Sequence, residues 1–132
     1  MAQSMETILI DTSILVDVLR GRRTFSILST QKGMISPIVY MELIQGAHDK
    51  TEASKIQKLL KLYPVIHFNQ DISELSISLM NMYAKSHGLK IPDAIIAATS
   101  LHLNYPLITL NQRDFRFIED LHLVQILSNN ET

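Results

Sequence analysis

The chain has 132 residues, 46% hydrophobic and 19% charged, with a formal net charge of −1, which is enough for one domain with a core and too apolar for a disordered chain. The absence of cysteine excludes disulfides, thiolate metal sites and cysteine catalysis, and fits a reducing compartment. No apolar run approaches the ~20 residues of a membrane span, and the opening MAQSMETILID lacks a basic stretch followed by an apolar one, so a cytoplasmic protein without a membrane is the expectation.

Gly and Pro number four each, and nothing reads as a linker, repeat or low-complexity segment. Residues 1–132 are therefore expected to form a single domain, with residues 1–5 and 128–132 frayed and Met5 an alternative start. Short apolar runs alternate with helix-period stretches, the pattern of βαβ units around a parallel sheet. Thr7–Ile10 is predicted as a buried strand. Asp11, Thr12 and Ser13 then offer capping side chains to a helix carrying Ile14, Leu15, Val18 and Leu19, which ends at Gly21. Thr24–Thr30 is predicted as a short second helix and Gly33–Ile35 as a short strand. Ser36 and Pro37 open a helix with Tyr40, Leu43, Ile44 and Ala47 on one stripe. Ala53, Ile56, Leu59 and Leu60 mark the next helix, ending near Tyr63-Pro64. Val65–Phe68 is predicted as a third strand, and residues from Ile72 to Tyr83 as a long amphipathic helix stopped at His87-Gly88. Pro92 suits a helix start, with Asp93–Asn104 continuing that helix. Leu107–Thr109 is predicted as a fourth strand, Asn111–Phe117 as a loop with a short helix, and Leu123–Leu127 as a fifth strand.

Four acids stand in apolar or turn-forming surroundings: Asp11 in ILIDTSIL, Glu42 in VYMELIQG, Asp93 in KIPDAIIAAT and Asp114 in ITLNQRDF. A carboxylate beside a hydrophobic core is costly unless something pairs with it. Each acid has a purely structural explanation as well. Asp11 fits a helix N-cap, although Thr12 or Ser13 could cap without a charge. Asp93 fits a first-turn position favoured by the helix dipole. Glu42 lies three and four residues past Val39 and Ile38, on a partly apolar face that a solvated Glu would avoid. Asp114 fits a turn, where Arg113 or Arg116 could pair with it. As a set, the four suggest a site for a hard divalent cation such as Mg²⁺, which takes oxygen ligands and relieves their mutual repulsion. With these acids set aside, the rest of the chain is mildly basic, which permits a polyanionic substrate.

The order and spacing of DTS at Asp11, SPIVYMELIQG around Glu42, IPDAIIAAT at Asp93 and TLNQRDF ending in Asp114 resemble the PIN-domain ribonucleases. Within them, the chain is similar to the VapC-type toxins of toxin–antitoxin pairs, from ILIDTSILVDVL to ITLNQRDFRFI. The resemblance implies a three-layer α/β/α fold around a parallel sheet of about five strands in the order 3-2-1-4-5. It implies Mg²⁺ or Mn²⁺ held by Asp11, Glu42, Asp93 and Asp114, with Thr12, Ser13, Thr109 and Asn111 as auxiliary polar residues. It also implies an RNA substrate, a homodimer and inhibition by a cognate VapB-like antitoxin. On this reading, water attacks an RNA phosphate in line with the departing 3′-oxygen and leaves a 5′-phosphate. Asp11 and Asp93 are the main ligand candidates, Glu42 orients water or binds directly, and Asp114 serves a second ion or a water.

Other residues and readings compete. Arg20, Arg22 and Arg23 fit a solvated helix end better than an RNA or antitoxin contact. His48, His67, His87, His102 and His122 lack the close helical spacing of a zinc motif. A PIN-like module that binds RNA or protein without turnover is the second reading, and the intact acids argue against it. A phosphotransferase using Asp11 as nucleophile is disfavoured because DTS lacks a second aspartate two residues on. A nucleotide-binding fold is disfavoured because no Gly-rich loop follows the first strand.

Overall fold

Strand β1 (Thr7–Ile10) runs through the middle of a parallel sheet in a computed structural model that describes residues 6–23 and 25–126. Ile8, Leu9 and Ile10 are all buried. Successive strand side chains point to opposite faces, so three buried residues in a row require cover on both faces. Helices supply it: α1 (Thr12–Leu19), α2 (Ile27–Thr30), α3 (Pro37–Gln45), α4 (Lys50–Leu60), α5 (Gln70–His87) and α6 (Ile91–Leu103). The result is the expected three-layer α/β/α architecture.

On one side β1 pairs in parallel with β2 (Lys32–Met34), Ile8 opposite Gly33; on the other it pairs with β3 (Leu107–Ile108), Ile10 opposite Ile108. The order β2-β1-β3 is extended on each flank by a single parallel bridge, Ile35 to Val65 and Leu107 to Leu123. The expected order 3-2-1-4-5 is thus kept, but the third and fifth strands are corrected to one bridge each. Two backbone hydrogen bonds hold each bridge: Ile35 N–H to Pro64 O at 3.0 Å and Ile66 N–H to Ile35 O at 2.8 Å, then Leu107 N–H to His122 O at 2.9 Å and Val124 N–H to Leu107 O at 2.8 Å. Beyond Ile66 the chain is exposed at His67 and Phe68, with no buried face to hold a longer ladder. Short outer strands also limit edge-to-edge pairing with other chains.

Local chemistry sets the helix ends near their expected positions. Ser36 caps α3 by accepting from Ile38 N–H, with Pro37 following. Asn69 caps α5 by accepting from Ile72 N–H at 2.8 Å, and Gly88 closes it at φ +70°. Ala94, Ala97 and Ala98 on α6 are buried; α5 and α6 pack against each other, and small side chains let their backbones approach closely. The expected fraying of residues 1–5 and 128–132, the helix start at Thr24 and the strand end at Leu127 lie outside the described residues.

Candidate active site

In an open parallel α/β sheet, ligands bind beyond the carboxyl ends of the strands where the winding direction reverses. Here the chain leaves β1 toward β2 on one side and later returns to β3 on the other. The reversal falls between β1 and β3, and Asp11 and Thr109 occupy the two strand ends there. Asp11 sits at the N-cap of α1, yet its side chain makes no capping hydrogen bond. It is 4% exposed. Its Oδ2 accepts from Ser13 Oγ at 2.9 Å and from Thr109 Oγ1 at 2.7 Å. Ser13 Oγ in turn accepts from Leu110 N–H at 3.0 Å, and Thr109 Oγ1 from Asn111 N–H at 2.9 Å. Two backbone amides of the β3 exit thus act through two hydroxyls on one carboxylate oxygen. Such chains polarise in concert and fix the orientation of the group at their end.

Glu42 projects from α3, where Thr12 Oγ1 donates to its Oε1 at 2.7 Å. Asp93 stands in the first turn of α6. Together with Thr12, Ser13, Val16, Asp17, Arg22, Leu110 and Asn111, these three acids line a mostly polar cleft of about 420 Å³. Asp114 is exposed on a 3-10 helix (Gln112–Asp114) and does not line the cleft. Neither Arg113 nor Arg116 forms an ion pair with it among the described residues. Its charge still reaches the site. Asp93 is raised to about 6 by desolvation first, then by the negative charges of Asp11, Asp114 and Glu42, with Lys90 acting in the opposite direction. Four carboxylates therefore share one field, as expected for a set that a cation would relieve.

The donor set fits a hard divalent cation. The ligands on offer are carboxylate and hydroxyl oxygens, and no histidine lines the cleft. Among the described residues, no three acidic or histidine side chains close into a ready-made cage. An ion there would be held by one or two carboxylates together with waters, the coordination that Mg²⁺ accepts.

The basic residues divide. Arg20 is exposed and outside the cleft. Arg22 lines it, and Arg22 and Arg23 both pair with Asp17, at 3.6 and 2.9 Å. Asp17 is a buried acid that reading the sequence passes over; the signal available was its place inside the apolar run ILVDVL, just ahead of three arginines. The five histidines are exposed; His87 stacks on Phe117 at 4.4 Å and His102 approaches Asp71 at 3.9 Å.

Comparison with known proteins gives the family. The sequence profile of the PIN domain matches residues 8–120, and the chain belongs to the PIN domain family. It is 27% identical over 128 residues to "Ribonuclease VapC" of Rickettsia bellii, covering 90% of this chain and 96% of that one. It is 30% identical over 120 residues to "Ribonuclease VapC19" of Mycobacterium tuberculosis, covering 86% and 95%. Among solved structures, a toxin–antitoxin complex from Klebsiella pneumoniae superposes with a TM-score of 0.74 at 34% identity, covering 90% of this chain and 99% of that one. The resemblance to VapC-type proteins drawn from the four motifs is borne out.

Proposed function

We propose that the protein is a divalent-metal-dependent endoribonuclease that acts as the toxin of a toxin–antitoxin pair and is restrained by a VapB-like antitoxin. One observation carries this reading: Asp11, Glu42 and Asp93, from three separate helix starts or faces, meet on one cleft where Asp93 is raised to about 6. The relatives named ribonucleases and the toxin–antitoxin neighbour support the substrate and partner classes.

A divalent cation, Mg²⁺ or Mn²⁺, held by Asp11 and Asp93 with help from Glu42, would supply positive charge against the developing charge on the phosphate and acidify the attacking water. The chain's own residues do the rest. Ser13 and Thr109 hold Asp11 in one orientation. Thr12 holds Glu42, which aligns the attacking water. Asp114 adds negative charge from outside the cleft and strengthens cation uptake. The attacking water gives a proton to solvent and forms the new P–O bond, the P–O3′ bond breaks, and the departing 3′-oxygen takes a proton from solvent, leaving a 3′-hydroxyl and a 5′-phosphate.

The test uses purified protein and single-stranded RNA. Cleavage should stop on chelation, return with Mg²⁺ or Mn²⁺, and fall at least 100-fold in Asp11→Asn and Asp93→Asn, by analogy with the loss of a ligand or electrostatic group. Equal turnover in either variant, with contaminating nuclease removed, sinks the assignment.

A further inference from the structure

The end of α1 is built to place one arginine. Gly21 takes φ +64°. The Gly21 N–H donates to Val18 O at 3.1 Å and the Arg22 N–H to Asp17 O at 3.0 Å. These are the two bonds of a Schellman motif, which folds the residue after the glycine back beside the last turn. Arg22 is thereby returned to the level of Asp17, beside the cleft that both residues line.

Asp17 is 5% exposed and needs a cation. Arg23 meets that need: its Nε lies 2.9 Å from Oδ2, and its guanidinium sits 5.7 Å over the ring of buried Phe25. Arg22 is a surplus cation at the same carboxylate. One terminal nitrogen lies 3.6 Å from Oδ1, and its side chain is 58% exposed. The rest of its fork has no protein partner among the described residues. It is also the one cationic residue among those lining the acidic cleft. Without its tether, a guanidinium there would be drawn onto the neighbouring carboxylates and compete with a cation. With Arg23 already 2.9 Å from Asp17, the longer and half-exposed contact to Arg22 adds little further stabilisation.

We propose that Asp17 is a positioning residue that holds Arg22 at the mouth of the cleft, where the Arg22 guanidinium contacts a backbone phosphate of the RNA. This rests on the ribonuclease reading. A planar fork of N–H donors matches phosphate oxygens in pairs, and one such contact leaves a salt signature. The slope of log affinity against log salt for single-stranded nucleic acid changes by about 0.7 for each phosphate neutralised.

The experiment measures steady-state RNA cleavage, and RNA binding across a salt series, for the wild type and for Arg22→Gln, Arg22→Lys, Asp17→Asn and Arg20→Gln. Arg22→Gln should raise KM about tenfold with kcat changed less than twofold, and should lower the salt slope by about 0.7. Arg22→Lys should restore the slope and part of the KM. Asp17→Asn should raise KM several-fold, and adding it to Arg22→Gln should cost nothing more. Arg20→Gln, outside the cleft, should match the wild type. A wild type that does not cleave RNA overturns the ribonuclease reading and this inference with it. A wild type that cleaves, with Arg22→Gln unchanged in KM and slope or no different from Arg20→Gln, overturns the inference alone. Arg22 is exposed, so that outcome does not depend on whether Asp17→Asn folds.

Discussion

Thr109 donates a 2.7 Å hydrogen bond to Asp11 across the seam between β1 and β3, joining residues 98 positions apart. The same hydroxyl accepts from Asn111 N–H, so it ties the acid to the loop that leads to Asp114. Thr109 is buried. Thr109→Val keeps the shape but removes both roles. It should lower RNA cleavage about 10- to 100-fold, the usual loss when the group orienting a ligand is removed. It should also cost roughly 1–3 kcal/mol of stability, because the buried Asp11 carboxylate loses a donor. Thr109→Ser should keep most of both. Cleavage rates and thermal midpoints of the two variants check this, and a fully active Thr109→Val would show that Asp11 does not need the bond.

Asp93 links the site's electrostatics to folding. Its carboxyl is raised from 3.8 to about 6, so the folded protein binds more protons than the unfolded chain between those values. Metal-free stability must therefore fall as pH rises through that window. Asp93→Asn removes the penalty. Its stability should equal the wild type near pH 3 and exceed it by roughly 1–2 kcal/mol at pH 7, allowing for partial solvent screening and for the favourable helix-dipole position the carboxylate gives up. Thermal melts in chelator from pH 3 to 7 test the sign. Added Mg²⁺ should narrow the gap by stabilising the wild type more.

Gly33 tests the frame beneath the site. A Cβ there would lie 2.5 Å from Ile10 Cδ1 and 3.1 Å from Tyr63 Cδ1. Ile10 is fully buried directly before Asp11, so it has little room to yield. Gly33→Ala should destabilise the protein by roughly 1–3 kcal/mol, the typical cost of overpacking. A denaturant melt measures this. An unchanged midpoint would mean that the end of the Ile10 side chain turns aside without cost.

Much of the candidate site was legible because a charge inside an apolar run stands out. Asp11, Glu42 and Asp93 each stand out in this way, and the fold brings all three to one cleft. Asp114, in a turn-like stretch, carried the weakest signal, and it lies exposed outside the cleft while its charge still acts on Asp93. Asp17 was as apolar in its surroundings as Asp11 but fell within a helix already explained by Ile14, Leu15, Val18 and Leu19. The three arginines read as one solvated helix end; the turn at Gly21 separates Arg20 from the two that Asp17 holds.

Periodicity and punctuation alone determined the helices, their starts at Ser36 and Pro92, the stops at Gly21 and Gly88, and the central parallel strands. These depend on residues within a turn or two of one another. Tertiary structure decided the rest. It reduced the outer strands at Val65 and Leu123 to single bridges, because their length depends on how much of each flank the neighbouring elements bury. It gave Thr12 to Glu42 and Ser13 to Asp11, although the two hydroxyls are adjacent in sequence. Consecutive side chains at the start of a helix point in different directions, and only the order of the strands settles what stands opposite each one.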